Sequence, residues 1–157
     1  MLLGKELSER MEWKKRAEED LKNYRSYQRA IKNTEDRIRM LDDRMTAARA
    51  SVITDTPRSR NGNRQQEDIL LDAITERDDL KLWLTAQRRR VGLIEQGLSA
   101  LENDEKYLLT MFFIDRPREG GHAEIICEKL GVEVATAYRM KDAALRRFVM
   151  EEYGVSV

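Results

Sequence analysis

Cys127 is the only cysteine and His122 the only histidine, so a disulfide and the usual Cys/His zinc sites are impossible within one chain. Nothing beside Cys127 would activate its thiol, and a small buried packing residue is the simpler reading. His122, next to Gly121 at an expected helix start, reads as a surface or capping residue. There is no Gly-rich phosphate loop and no Ser/His/Asp set, and the carboxylates lie mostly on exposed faces of expected helices. These residues favour recognition over catalysis: the chain is read as not an enzyme, with no metal site and no cofactor.

Recognition of a polyanion needs cations, and the chain holds 29 Lys and Arg against 29 Asp and Glu. Residues 1–64 carry 16 basic and 11 acidic side chains, 65–103 carry 5 and 8, and 104–157 carry 8 and 10. With no strongly basic bulk field, nucleic-acid binding must rest on local arrangement. The run Arg88-Arg89-Arg90 is weak in that respect, because three consecutive helical residues point in different directions; it reads as a solvated flank. Trp13, Trp83, Tyr24 and Tyr27 sit beside helical apolar seams and read as packing residues before partner anchors or base stackers.

The elements that position these groups are helices. With 8 Gly, 2 Pro and 37% charged residues, turn residues are too few for a β sandwich or a βαβ array, and the expected class is all-α. No Gly or Pro interrupts residues 5–56, which predicts one long helix. On it Tyr24, Tyr27, Ile31, Thr34, Ile38, Leu41, Met45 and Ala48 recur at spacings of three and four. A second seam runs through Leu70, Ala73, Arg77, Leu80, Leu84, Gln87, Val91, Ile94, Leu98 and Leu101. Between them SVITDTPRSRNGNRQQ, with Pro57, Asn61-Gly62, Arg58, Arg60 and Arg64, predicts a mobile basic loop over 51–64. An antiparallel hairpin or a coiled coil of two chains would bury both seams, and the expected assembly is a homodimer. Gly92 and Gly97 mark the expected place for a bend or close helix contact. No stretch reaches the length of a membrane span or a signal-peptide apolar region, so the expectation is a cytoplasmic protein.

Residues 1–103 therefore read as a helical hairpin or coiled-coil segment, and 104–157 as a second domain. Asn103, ahead of Asp104 and Glu105, is the expected N-cap of a helix bearing Leu108, Leu109, Phe112 and Phe113 and ending before Pro117. HAEIICEKL predicts the next helix, Gly131 a turn, and 134–152 the last. This is a helix-turn-helix pattern: Cys127 is small where the helices cross, Gly131 can take positive φ, and Val132, Ala137, Met140 and Ala144 supply the inner apolar face.

The stretch from Leu101 through DEKYLLTMFFIDRP to HAEIICEKLGVEVATAYRMKDAALRRF resembles region 4 of bacterial sigma factors, above all in Glu105, Ile126/Leu130-Gly131-Val132 and Ala144-Leu145-Arg146-Arg147. With its long heptad-bearing amino-terminal part, the chain resembles the small ArpU-type phage or prophage transcriptional regulators. That resemblance implies binding to double-stranded DNA with the second helix of the motif in the major groove. The implied base-facing positions are Glu133, Val134, Ala135, Tyr138, Arg139 and Asp142. Arg139 is suited to the two acceptors of guanine, Val134 or Ala135 to a thymine methyl, and Glu133 to cytosine. Thr136, Lys141, Arg146 and Arg147 are the implied phosphate contacts.

Sigma-like motifs usually place Ser and basic residues where this chain has Glu133, Val134 and Thr136, so a lone motif domain should bind weakly. Dimerisation, or a DNA arm made of Arg58, Arg60 and Arg64, would offset that. The expected role is a phage or prophage gene activator acting at the bacterial nucleoid, with RNA polymerase a further candidate partner. The competing readings are a small terminase-like packaging subunit and a sigma-like adaptor that binds polymerase without reading DNA. A helical domain that binds only protein fits the same pattern.

Overall fold

The computed structural model describes residues 2–53 and 60–157. The fold is all-α, with no strand among the described residues. Helix α1 spans Leu2–Ile53, α2 Arg60–Ser99 and α3 Asn103–Leu109; a π-helical turn, Thr110–Ile114, continues α3, and α4, His122–Leu130, and α5, Val134–Tyr153, follow. The expected loop over 51–64 is corrected at both ends, since 51–53 close α1 and 60–64 open α2. Gly62 thus lies inside a helix, where its propensity penalty of about 1 kcal/mol is too small to stop a 40-residue element.

The helices form two compact units, residues 1–27 with 90–157 and residues 28–89. The division differs from the expected break at 103/104, because the first half of α1 and the end of α2 group with the short helices.

Residues 28–89 are an antiparallel hairpin. Ile38, Leu41 and Met45 of α1 and Leu84 of α2 are buried, and the other seam residues of this unit are half-buried. Arg37 bonds Glu76 at 2.7 Å, Arg77 bonds Asp42 at 3.3 Å, and Arg88 reaches Glu35. Arg77, the one cation inside a seam, is thereby answered from the facing helix. Of the two pairings that the heptads allowed, the fold uses the one within the chain, since each seam already covers the other.

In the other unit, Ala17 and Leu21 of α1, Ile94 and Leu98 of α2, and Ala144, Leu145, Phe148 and Val149 of α5 are buried. Gly97 lets α5 approach α2: a Cβ built on it would stand 2.7 Å from Cε2 of Phe148. Of the two glycines flagged in this helix, Gly97 makes the close contact, while a Cβ on Gly92 would meet nothing within 4 Å, and α2 stays helical through both. Asp20 is a buried carboxylate that ties three helices together. It accepts hydrogen bonds from Arg90 at 2.6 Å, from Tyr27 at 3.4 Å and from the Tyr153 hydroxyl. Trp13 packs on the Tyr153 ring with centroids 5.1 Å apart, the covering role expected of it.

Candidate nucleic-acid interface

The N-cap of α3 lies one residue earlier than expected. Glu102 is the N-cap, and its backbone N–H donates to the Glu105 carboxylate at 3.0 Å. A three-residue reach is built into a Glu at the third helical position, whereas Asn103 already lies inside the helix. The π-helical turn then carries Phe112 into the centre of the motif.

Leu108, Phe112, Ile126 and Ala137 form that centre, with Cys127, Leu130, Val132 and Met140 packed around it. The expected inner face of the helix-turn-helix is thus the observed one. Gly131 sits at φ +64, a left-handed conformation that a Cβ would strain, and lets α4 end and the chain turn into α5 within three residues. His122 differs from its expected surface position: it is only 8% exposed, edge-on to the Phe112 ring at 5.1 Å, and its Nδ1 is buried with no hydrogen-bond partner. The aromatic ring below it, placed by the π-helical turn, draws it inward.

The implied reading positions then divide by what the fold does with each. Glu133 is the N-cap of α5, in extended conformation and exposed. Val134, Ala135, Tyr138, Arg139 and Asp142 are exposed, so the outward face of the first turns of α5 is open, as the motif requires. The Arg139 Nε donates to the Ala135 carbonyl at 3.4 Å, a local contact along its own helix that leaves the guanidinium on the surface. Tyr138 is half committed, because its ring rests 5.3 Å from that of Phe112.

The implied phosphate contacts fare unevenly. Arg146 is exposed and Thr136 half-buried. The Lys141 side chain is only 18% exposed; its ammonium lies over the Tyr138 and Phe112 rings and pairs with Asp142 at 3.1 Å. Arg147 is turned to α3, donating to Glu105 at 3.0 Å and to the carbonyl of Ala100 at 3.4 Å. Both cations do structural work: Arg147 is held wholly by groups on other elements, and Lys141 by Asp142 and Tyr138 of α5 together with the Phe112 ring of the π-helical turn. Arg58 of the expected arm lies outside the described residues. Arg60 and Arg64 belong to the first turns of α2, and Arg64 is exposed.

Three features were missed in the sequence. Arg116 and Arg118 are exposed on the connection between the π-helical turn and α4; the paired cations around Pro117 were their signal. Lys129 stands over the Tyr107 ring at 3.8 Å, close enough to fasten α4 to α3. Ile125 and Val134 are exposed at 47% and 50%, which leaves apolar surface on both helices of the motif.

No group of three or more metal-binding side chains occurs among the described residues, and no helix there is long and apolar enough to cross a membrane. No family model, curated protein or solved structure matches the chain.

Proposed function

We propose that this chain is a sequence-specific DNA-binding transcriptional regulator of the ArpU type, acting on phage or prophage genes in the bacterial cytoplasm. The observation that carries the reading is the α4–Gly131–α5 turn. It packs the inner face of α5 on Phe112 and Ile126 while the outer face from Val134 to Asp142 stays open. In the proposed mechanism α5 enters the major groove; Arg139 reads guanine, Val134 or Ala135 meets a thymine methyl, and Glu133 accepts from cytosine. Arg146 and Thr136 hold phosphates, joined by Arg116 and Arg118, whereas Lys141 and Arg147 act as braces of α5. So few free cations predict modest affinity with a shallow salt slope. RNA polymerase remains the proposed protein partner.

In-vitro selection of random duplex DNA on the purified chain, with Arg139→Ala alongside, tests this. An enriched motif is expected, with the variant losing about 1–3 kcal/mol at one guanine while keeping its helical signal. Selection that enriches nothing with the wild-type chain would overturn the reading. A second reading, a protein-binding adaptor without DNA readout, is favoured by the exposed Ile125 of α4 and Val134 and Tyr138 of α5. Retention of polymerase with no retention of DNA would establish it.

A further inference from the structure

Helix α2 carries two stripes. The inner one is the hairpin seam. The outer one, Thr75, Asp79, Leu82, Ala86 and Arg89, repeats the spacing of four and three on the opposite side, and every member is exposed. Leu82 is 73% exposed at its middle, and Trp83 beside it is 40% exposed. Among the described residues neither Asp79 nor Arg89 has an ion pair. Charge along α2 is also polarised: between Glu67 and Asp79 there are six acidic residues and one basic, and between Leu80 and Arg89 three basic residues and no acidic one.

We propose that this outer face of α2 binds a second copy of the chain, antiparallel, about a two-fold axis level with Leu84. Leu82 and Ala86 stand exposed at the middle of this face, and its two ends carry opposite charge. Antiparallel pairing about that level sets Leu82 of each copy on the small Ala86 of the other, and Asp79 of each beside Arg89 of the other. Parallel pairing would oppose Asp79 with Asp79 and Arg89 with Arg89, which like-charge repulsion disfavours. The polarity of the helix thus selects both the occupant and its direction. The hairpin seams keep each other covered, so the dimer needs no rearrangement of the fold. This surface is independent of the DNA-reading proposal.

Sedimentation equilibrium on the full chain without DNA tests it, using Asp79→Arg, Arg89→Asp and the double variant. A reversible dimer is expected for the wild-type chain. Each single reversal should weaken it at least about tenfold, the size of a close interfacial charge pair lost and made repulsive, and the double variant should restore it. All sites are exposed, and circular dichroism checks that the helices persist. A chain that stays monomeric at every concentration reached, or a dimer indifferent to the single reversals, would overturn the proposal. So would a double variant weaker than either single one.

Discussion

The two units of this molecule hold together by different physics. The unit containing α3, α4 and α5 buries large side chains completely, Phe148, Leu108, Leu109, Ile126 and Leu145 among them, and locks α5 to α2 through the Gly97 contact. The hairpin of residues 28–89 is one seam wide, with Ile38, Leu41, Met45 and Leu84 its buried apolar residues. Around that seam stand ion pairs whose side chains remain between 22% and 58% exposed, each worth little in water. A dense core fixes the orientation of α5, whereas the hairpin has one thin seam to hold its two helices together. Stability should therefore be concentrated in the first unit and salt sensitivity in the second.

Phe148→Ala should break the contrast most severely. Its side chain is wholly buried, and its loss should cost about 3–5 kcal/mol. Denaturant unfolding measures the cost, and amide exchange should show protection lost in α5 before the middle of the hairpin. If exchange rises equally in both units, they do not differ as stated.

Next in size is a pair of glycines. Gly97→Ala forces a methyl into the Phe148 ring and should destabilise by about 1–3 kcal/mol. Gly92→Ala, on the same helix with open space beside it, should stabilise by up to about 1 kcal/mol. Opposite signs in thermal unfolding are the check, and equal effects would refute the close approach.

The pH response should also belong to the denser unit. Glu152 is buried with its Oε2 lacking a partner, and burial, reinforced by the nearby negative charge of Asp20, pushes its carboxyl up to about 8. Between its unfolded value near 4.5 and that value the folded chain keeps a proton that the unfolded chain has lost. Stability should therefore fall as pH rises through this window. Glu152→Gln, which copies the protonated form, should flatten the melting temperature against pH, and a slope identical to wild type would show that Glu152 is not its source.

The smallest effect should come from Arg37→Ala, which removes the exposed pair with Glu76 and should cost under about 1 kcal/mol, vanishing at high salt. A larger, salt-independent loss would mean that the hairpin depends on its ion pairs more than on its seam.

Much of this architecture was legible before any coordinates. Both heptad seams occupy the covered sides of their helices, because spacing of three and four puts residues on one face whatever covers it. The boundaries of α4 and α5 followed from Gly121, Gly131 and the apolar period between them. The loop did not follow: Asn61-Gly62 is a strong turn signal locally, yet the second seam begins close enough to carry the helix through it.

The candidate interface was legible in part. Arg139, Val134 and Ala135 are exposed because they lie on the side of α5 away from the inner face that carries Ala137, Met140 and Ala144. Lys141 and Arg147 were indistinguishable from Arg146 by spacing, and only the positions of Phe112, Tyr138 and Glu105 show that two of the three are engaged.

By itself the sequence determined helix content, the inward face of each helix and the turn that joins α4 to α5, all of which depend on neighbours within a few residues. Tertiary structure alone decided that the seams pair within the chain, that His122 and Glu152 are buried, and which cations stay free. Those outcomes depend on groups brought together from as far apart as Asp20 and Tyr153, and no local period encodes which distant side chain arrives.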